Sequence, residues 1–151
     1  MTDAIFSIKP LFANSIYMKV KTVELRVKPP TRTIERAWIY ETLPLQRITG
    51  YFVPGEIRSY RDFDHLIELY GYPGILGTLA TGNAGIDRME LGHVLGGRDW
   101  RAIEIAEAVR LPEPIDPRAA DPRWTSPQSW RYVNWSDPLN EMWITQESEF
   151  K

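Results

Sequence analysis

Lys19, Lys21, Glu24, Arg26 and Lys28 fall within ten consecutive residues, in the segment VKTVELRVKPP and the lysine just before it. Four cations and one carboxylate crowded this closely repel one another at a cost, which falls when an anionic or polar partner sits beside them. The side-chain types suit such a partner. Lys21, together with Lys9 upstream, can contact a phosphate or polarise a carbonyl. Glu24 can accept hydrogen bonds from the amino group of a nucleobase. Arg26 presents a planar fork for phosphate or a base edge. If the segment is a strand, residues two apart share a face. Lys19, Lys21, Val23, Leu25 and Val27 then point one way, and Val20, Thr22, Glu24, Arg26 and Lys28 the other. Lys21 joins Glu24 and Arg26 only if the strand begins after it and a bend turns its amine into the same hollow.

The elements that must position these groups are short and mixed. AIFSI, TVELRV, AWIY and ITGYFV carry alternating or continuous apolar residues with β-branched and aromatic content, the signature of strands. In KPLFANSIYM, Pro10 suits a first helical turn, and Leu11, Phe12, Ile16 and Tyr17 recur at helical spacing. RDFDHLIELYG predicts a second helix with Asp62 at its start and Gly71 as its stop, so Asp62, Asp64 and His65 read as helix-starting and solvating residues. RAIEIAEAVRL returns to alternation and predicts a late strand. From Pro112 to Pro138 six prolines argue against regular interior strands and for a winding surface segment.

Composition bounds the chemistry. The chain has 151 residues, 43% hydrophobic and 25% charged, which predicts one soluble domain. No apolar run is long enough to span a bilayer and the N-terminus lacks a secretory pattern, so a cytoplasmic location without membrane association is expected. The absence of cysteine removes disulfides, thiol catalysis and Cys-ligated metals, and His65 and His93 are too far apart in sequence for a local ligand pair. Neither a metal nor a cofactor is expected. The net charge of -2 hides an asymmetry: residues 1–61 hold ten Lys/Arg against five Asp/Glu, whereas residues 62–151 hold eight against fifteen. That pattern fits a localised anion-binding face better than a general coat for nucleic acid. Seven of the ten glycines lie between residues 72 and 97 without a phosphate-loop or dinucleotide-binding spacing, and IDRMELGHVL within that block offers a helical apolar face. The block, about 71–97, reads as short helices broken by glycine, inserted into the domain. A tail at about 112–151 gathers proline and tryptophan, including Trp124, Trp130, Trp135 and Trp143.

Five or six short strands placed before and after one helical block argue for an α+β barrel. SIKPLFANSIYMKVKTVELR resembles the opening of ASCH domains, a PUA-like β-barrel family whose pattern runs S-I-K-P, a short helix, then G-x-K-x-x-E-x-R. Lys21, Glu24 and Arg26 match the last three fixed positions, while Lys19 stands where the family usually has glycine, implying a different turn into the strand. IYETLPLQRITGYF is similar to the family's next strand pair. AIEIAEAVRLPEPI and PQSWRYV resemble its closing strand and its terminal Pro-Gln-Ser-aromatic segment. The resemblance spans about residues 5–133. It implies a single small ASCH-like β-barrel of five to six strands with flanking short helices, and a cleft that binds RNA or a nucleotide.

The candidate binding residues are Lys9, Lys21, Glu24, Arg26, Tyr40, Ser129 and Trp130, with Tyr40 and Trp130 as stacking faces. Two blander readings stand beside these. Glu24 and Arg26 would be an internal pair that holds the barrel mouth, and the aromatics would be core. The resemblance also admits a hydrolase, either a ribonuclease or a modified-cytidine amidohydrolase, using Lys21 and Glu24 as catalytic residues. In the amidohydrolase branch a threonine stands three residues after the lysine, where this chain has Glu24, and Thr22 faces away from Lys21 in a regular strand. A third class is a protein-interaction module acting through the Trp-rich tail.

Overall fold

The computed structural model describes residues 2–77 and 99–133. In chain order these form β1 (Ala4–Ile8), α1 (Pro10–Tyr17), β2 (Val23–Arg26), β3 (Ala37–Glu41), β4 (Arg47–Arg58), α2 (Phe63–Leu76), β5 (Arg101–Ile115), α3 (Pro117–Ala120) and β6 (Trp130–Tyr132). All six strands join one sheet in the order β2-β5-β4-β3-β1-β6, with β1 parallel to β3 and the other pairs antiparallel. The sheet curls, so that its two ends approach each other. β2 at one end and β1 and β6 at the other are tied by side chains rather than by a ladder: Arg26 reaches Ser7 and Ser129, and Trp130 Nε1 donates to Lys28 O at 2.7 Å. We call this line of contact the seam.

Alternation in the strands sorts the core into two faces, as the period of two requires. Ala4, Phe6, Ile8, Ala37, Ile39 and Phe52 pack with Ala13 and Ile16 of α1. Ile5, Trp38, Tyr40 and Ile48 pack on the opposite face against Leu111, Ile115 and Trp124. β3 is buried along its whole length because both its faces are covered. A third cluster seats α2, through Leu66, Ile75 and Leu76, against Val23 and Ala102 of β2 and β5.

The strand reading of 101–111 is too short. β5 runs on to Ile115 through Pro112 and Pro114. Its paired residues jump from Gly50↔Arg110 to Ile48↔Ile115, so the prolines sit in a bulge where the ladder asks nothing of their missing N–H groups. α2 begins as expected, with the Asp62 side chain accepting from His65 N at 2.9 Å. Gly71 does interrupt it, at φ 72°, ψ 161°, but a further helical turn carries the chain to Leu76 and then to Gly77 at φ 77°. The apolar stretch IDRMELGHVL and the tryptophans Trp135 and Trp143 lie outside the described residues.

The turn into β2 is a helix C-cap. Val20 N donates to Ser15 O and Lys19 N to Ile16 O, both at 3.0 Å, the paired bonds of a Schellman motif with Lys19 at the left-handed position, φ 64°. A lysine thus occupies a left-handed position that glycine would take without strain. Lys19→Gly is expected to raise stability by about 0.5 kcal/mol, the relief of the Cβ clash less the extra chain entropy of glycine. Urea unfolding checks it, and a lowered midpoint would show that Lys19 is not strained.

Candidate nucleotide pocket at the seam

A hollow of about 790 Å³ opens beside the seam. Its walls are largely apolar: Leu11 and Phe12 from α1, Leu25 from β2 and Val27 just after it, Ile75 and Leu76 from the end of α2, Trp100 ahead of β5, and Trp130. Lys21, Glu24 and Arg26 all line it, as do Lys9, Lys28, Ser7 and Ser129.

Lys21 precedes β2, so strand alternation does not govern it. The Schellman turn swings its chain inward, and its own N–H bonds to Ser15 O at 3.1 Å. The side chain is only 5% exposed. Its Nζ donates to Ile75 O at 2.7 Å and lies 3.6 Å from Glu24 Oε1. Burial pushes the Lys21 ammonium below the ordinary lysine pKa, with Glu24 opposing that shift and Arg26 adding to it.

Glu24, 7% exposed, is held from both sides, by Lys21 at Oε1 and by Arg26 Nη2 at Oε2, 3.1 Å away. Arg26 spends its fork on the protein itself. Nη1 donates to Ser129 O and Oγ at 3.1 and 2.8 Å, Nη2 donates to Ser7 O at 3.2 Å, and the guanidinium lies over the Phe6 ring. The internal-pair reading therefore describes Arg26 well. It braces Glu24 and clasps the seam, with little left over for a bidentate ligand contact. Lys21 and Glu24 remain as the polar pair at the floor.

Trp130 forms a wall of the hollow, stacked on Phe6 at 5.9 Å and edge-on to Tyr132 at 4.8 Å. Tyr132 in turn accepts from Thr31 N and Arg32 N, which pins the segment after β2 beside it. Tyr40 does not reach the hollow. It is 2% exposed on the other face of the sheet, against Trp124, because β3 is central and its even-numbered side chains enter the second core. Its proposed stacking role is withdrawn. Thr22 is exposed and absent from the pocket lining.

Several lining groups escaped the sequence reading. Ile75 lies within the glycine-rich block, which carried no chemical motif, and Trp100 just after it. Ile75 acts through its backbone carbonyl, which no residue type advertises. Phe12 had a signal, the helical apolar face of α1, but read as core; its ring lies 5.5 Å from the Lys21 ammonium.

The curled six-stranded sheet with its few short helices is the fold of ASCH crystal structures. In particular it is similar to the crystal structure of ASCH from Zymomonas mobilis, with a TM-score of 0.71 and 22% identity over 94% of each chain. A serine-to-alanine mutant of that protein matches at 0.73 and 21% identity, covering 94% of this chain and 95% of the other. A tyrosine-to-phenylalanine mutant matches at 0.74 and 21%, covering 96% and 98%. No family model and no curated protein matches the chain. Among the described residues no helix is long and apolar enough to cross a membrane.

Proposed function

We propose that the protein is an ASCH-type binding module that takes one unpaired base of RNA, or a single nucleotide, into the seam pocket. The observation that carries this reading is the buried Lys21–Glu24 pair on the floor of an apolar hollow. Burying both charges is costly and adds little to stability, so the pair invites a role in recognition. A nucleobase supplies what the hollow asks for: flat apolar faces for Trp130, and an edge bearing both a donor for Glu24 and an acceptor for Lys21. With water excluded, each such bond counts for more than at the surface.

Binding of single-stranded RNA oligomers and free nucleosides, with wild type, Glu24→Gln and Lys21→Met, tests the reading. Glu24→Gln is expected to weaken binding by about 10- to 100-fold, the loss of a hydrogen bond to a charged group. Unchanged affinity in both variants, with the fold intact, would reject it.

One observation favours a second reading, an RNA-acting hydrolase. The lowered pKa of Lys21 increases its neutral fraction, and a neutral amine beside a carboxylate can take a proton. Among the described residues the hydroxyls that line the hollow are Ser7 and Ser129, and both are engaged, Ser7 with Pro127 O and Ser129 with Arg26. On this reading the 2′-hydroxyl of RNA is the nucleophile: with Lys21 accepting its proton, its oxygen bonds to the adjacent phosphorus, the bond from phosphorus to the 5′-oxygen breaks, and that oxygen takes a proton from water. Cleavage would then rise with pH as Lys21 deprotonates, would fail on a 2′-deoxy substrate, and would vanish in Lys21→Met while binding persists. Folding follows the same sign. The unfolded chain holds the Lys21 proton up to the ordinary lysine pKa, so stability gains as pH rises from the lowered folded value to that point. An oligomer that stays intact at every pH leaves the binding module as the function.

A further inference from the structure

Resting on the reading of the hollow as a nucleotide pocket, we infer that it is divided into two subsites, a floor that reads the base and a cationic mouth that selects for a phosphate. Lys9 and Lys28 are the mouth.

The division follows from where the charges are spent. Of the four cations that line the hollow among the described residues, two are committed inside it. Lys21 donates to Ile75 O and pairs with Glu24, and Arg26 is engaged by Ser129, Ser7 and Glu24. Lys9 and Lys28 are different. Both line the hollow, both are exposed, and neither makes an ion pair with a described residue. Glu24, the one carboxylate among the described lining residues, already faces two cations, so it does not neutralise the mouth.

The backbone fixes the two lysines in place while leaving their amines free to move. Lys9 links β1 to α1 in an extended conformation, φ -62° and ψ 143°, ahead of the rigid Pro10, and its carbonyl accepts from Ala13 N. Lys28 follows β2 and leads into Pro29 and Pro30, and its carbonyl accepts the Trp130 indole N–H. The lysine on the β2 side is thereby bonded to the aromatic wall itself. A base seated along Trp130 carries its ribose and phosphate outward past these two amines. Solvated ammonium groups on flexible stems suit a mobile dianion at an open rim, whereas the floor needs fixed partners.

A bare nucleoside would fill the floor and leave the mouth unused. A nucleotide would fill both. The phosphate can belong to a free mononucleotide, as a monoester near a dianion, or to a strand, as a singly charged diester, and both offer anionic oxygens to the two amines.

Calorimetric titration with the four nucleosides, their 5′- and 3′-monophosphates, and a short single-stranded RNA tests the division, using wild type, Lys9→Ala, Lys28→Ala and the double variant. Both sites are exposed and neither side chain supports the fold. The monophosphate of the preferred base is expected to bind about tenfold more tightly than its nucleoside near about 50 mM salt, with most of that advantage lost by about 200 mM. The double variant is expected to bind nucleoside and monophosphate alike while keeping wild-type affinity for the nucleoside. A strand that binds more tightly than either monophosphate identifies the source as RNA, and equal affinity identifies a free nucleotide; both support the division. A monophosphate no tighter than its nucleoside, or a phosphate preference that survives in the double variant, overturns the division and leaves the base pocket standing. If neither nucleosides nor monophosphates bind at all, the pocket reading fails together with it.

Discussion

Arg26→Met is expected to unfold at lower urea, with a loss of about 3 kcal/mol in stability, and to bind no ligand at the seam. The magnitude follows from what the guanidinium holds. Its side chain is 14% exposed, that of Glu24 is 10%, and removing one member of such a pair leaves a buried carboxylate short of a partner, at about 3 to 5 kcal/mol. The lower end applies because Arg26 keeps some contact with water and Lys21 still faces Glu24 at 3.6 Å. The seam loses its clasp as well. Ser7 O loses the Arg26 bond, Ser129 O keeps only the Ser7 N–H, and β2 is no longer fastened to the far end of the sheet. A second substitution separates charge from clasp. Glu24→Gln placed in the Arg26→Met background removes the stranded charge, so the double variant is expected to be more stable than Arg26→Met alone, though still open at the seam and inactive in binding. If Arg26→Met unfolds within about 0.5 kcal/mol of wild type, the range of ordinary surface substitutions, Arg26 is not the clasp.

Gly77→Ala is expected to cost about 2 kcal/mol and to weaken ligand binding about tenfold, through the position of a carbonyl rather than through any lost side chain. Gly77 sits at φ 77°, where a Cβ is strained whatever the space around it. The space is also missing: an added Cβ would come within 2.8 Å of Ser15 Cβ and 3.3 Å of Lys21 Cβ. The end of α2 must then move off α1. The Ser15 hydroxyl bond to Gly77 O is disturbed, and so is the Ile75 carbonyl two residues earlier, which receives the Lys21 amine. The amine that Ile75 held becomes free to swing away from Glu24. Thermal unfolding and nucleotide titration on the same variant check both halves. A stable variant with intact binding would mean that α2 does not set the position of Lys21.

Both predictions turn on contacts between segments far apart in the chain, and that is where reading the sequence stops. Arg26 and Ser129 lie 103 positions apart, and Lys21 and Ile75 lie 54 apart. The segments that form β1, β2 and β3, the start of α1 and the capped start of α2 were legible because each is a local pattern: a period of two or 3.6, a proline in the first turn, an aspartate before the first apolar residue. The charged cluster at Lys21, Glu24 and Arg26 was legible for the same reason. Its residue types declare their chemistry and sit close together. Lys21 was left open between two orientations, since periodicity cannot say where a strand begins when a helix cap runs directly into it.

What only the tertiary structure decided is how each group is used. Arg26 and Tyr40 both carried binding chemistry by type. The curl of the sheet turned the first into a clasp, and the central place of β3 put the second into the core. Pro112 and Pro114 looked like the end of a strand until a bulge admitted them. The physical reason is common to all of these. A residue's type and its spacing from near neighbours fix which groups it can bond and which face it shares. Whether water, a ligand or the protein itself answers those bonds depends on which distant backbone the closing sheet brings alongside.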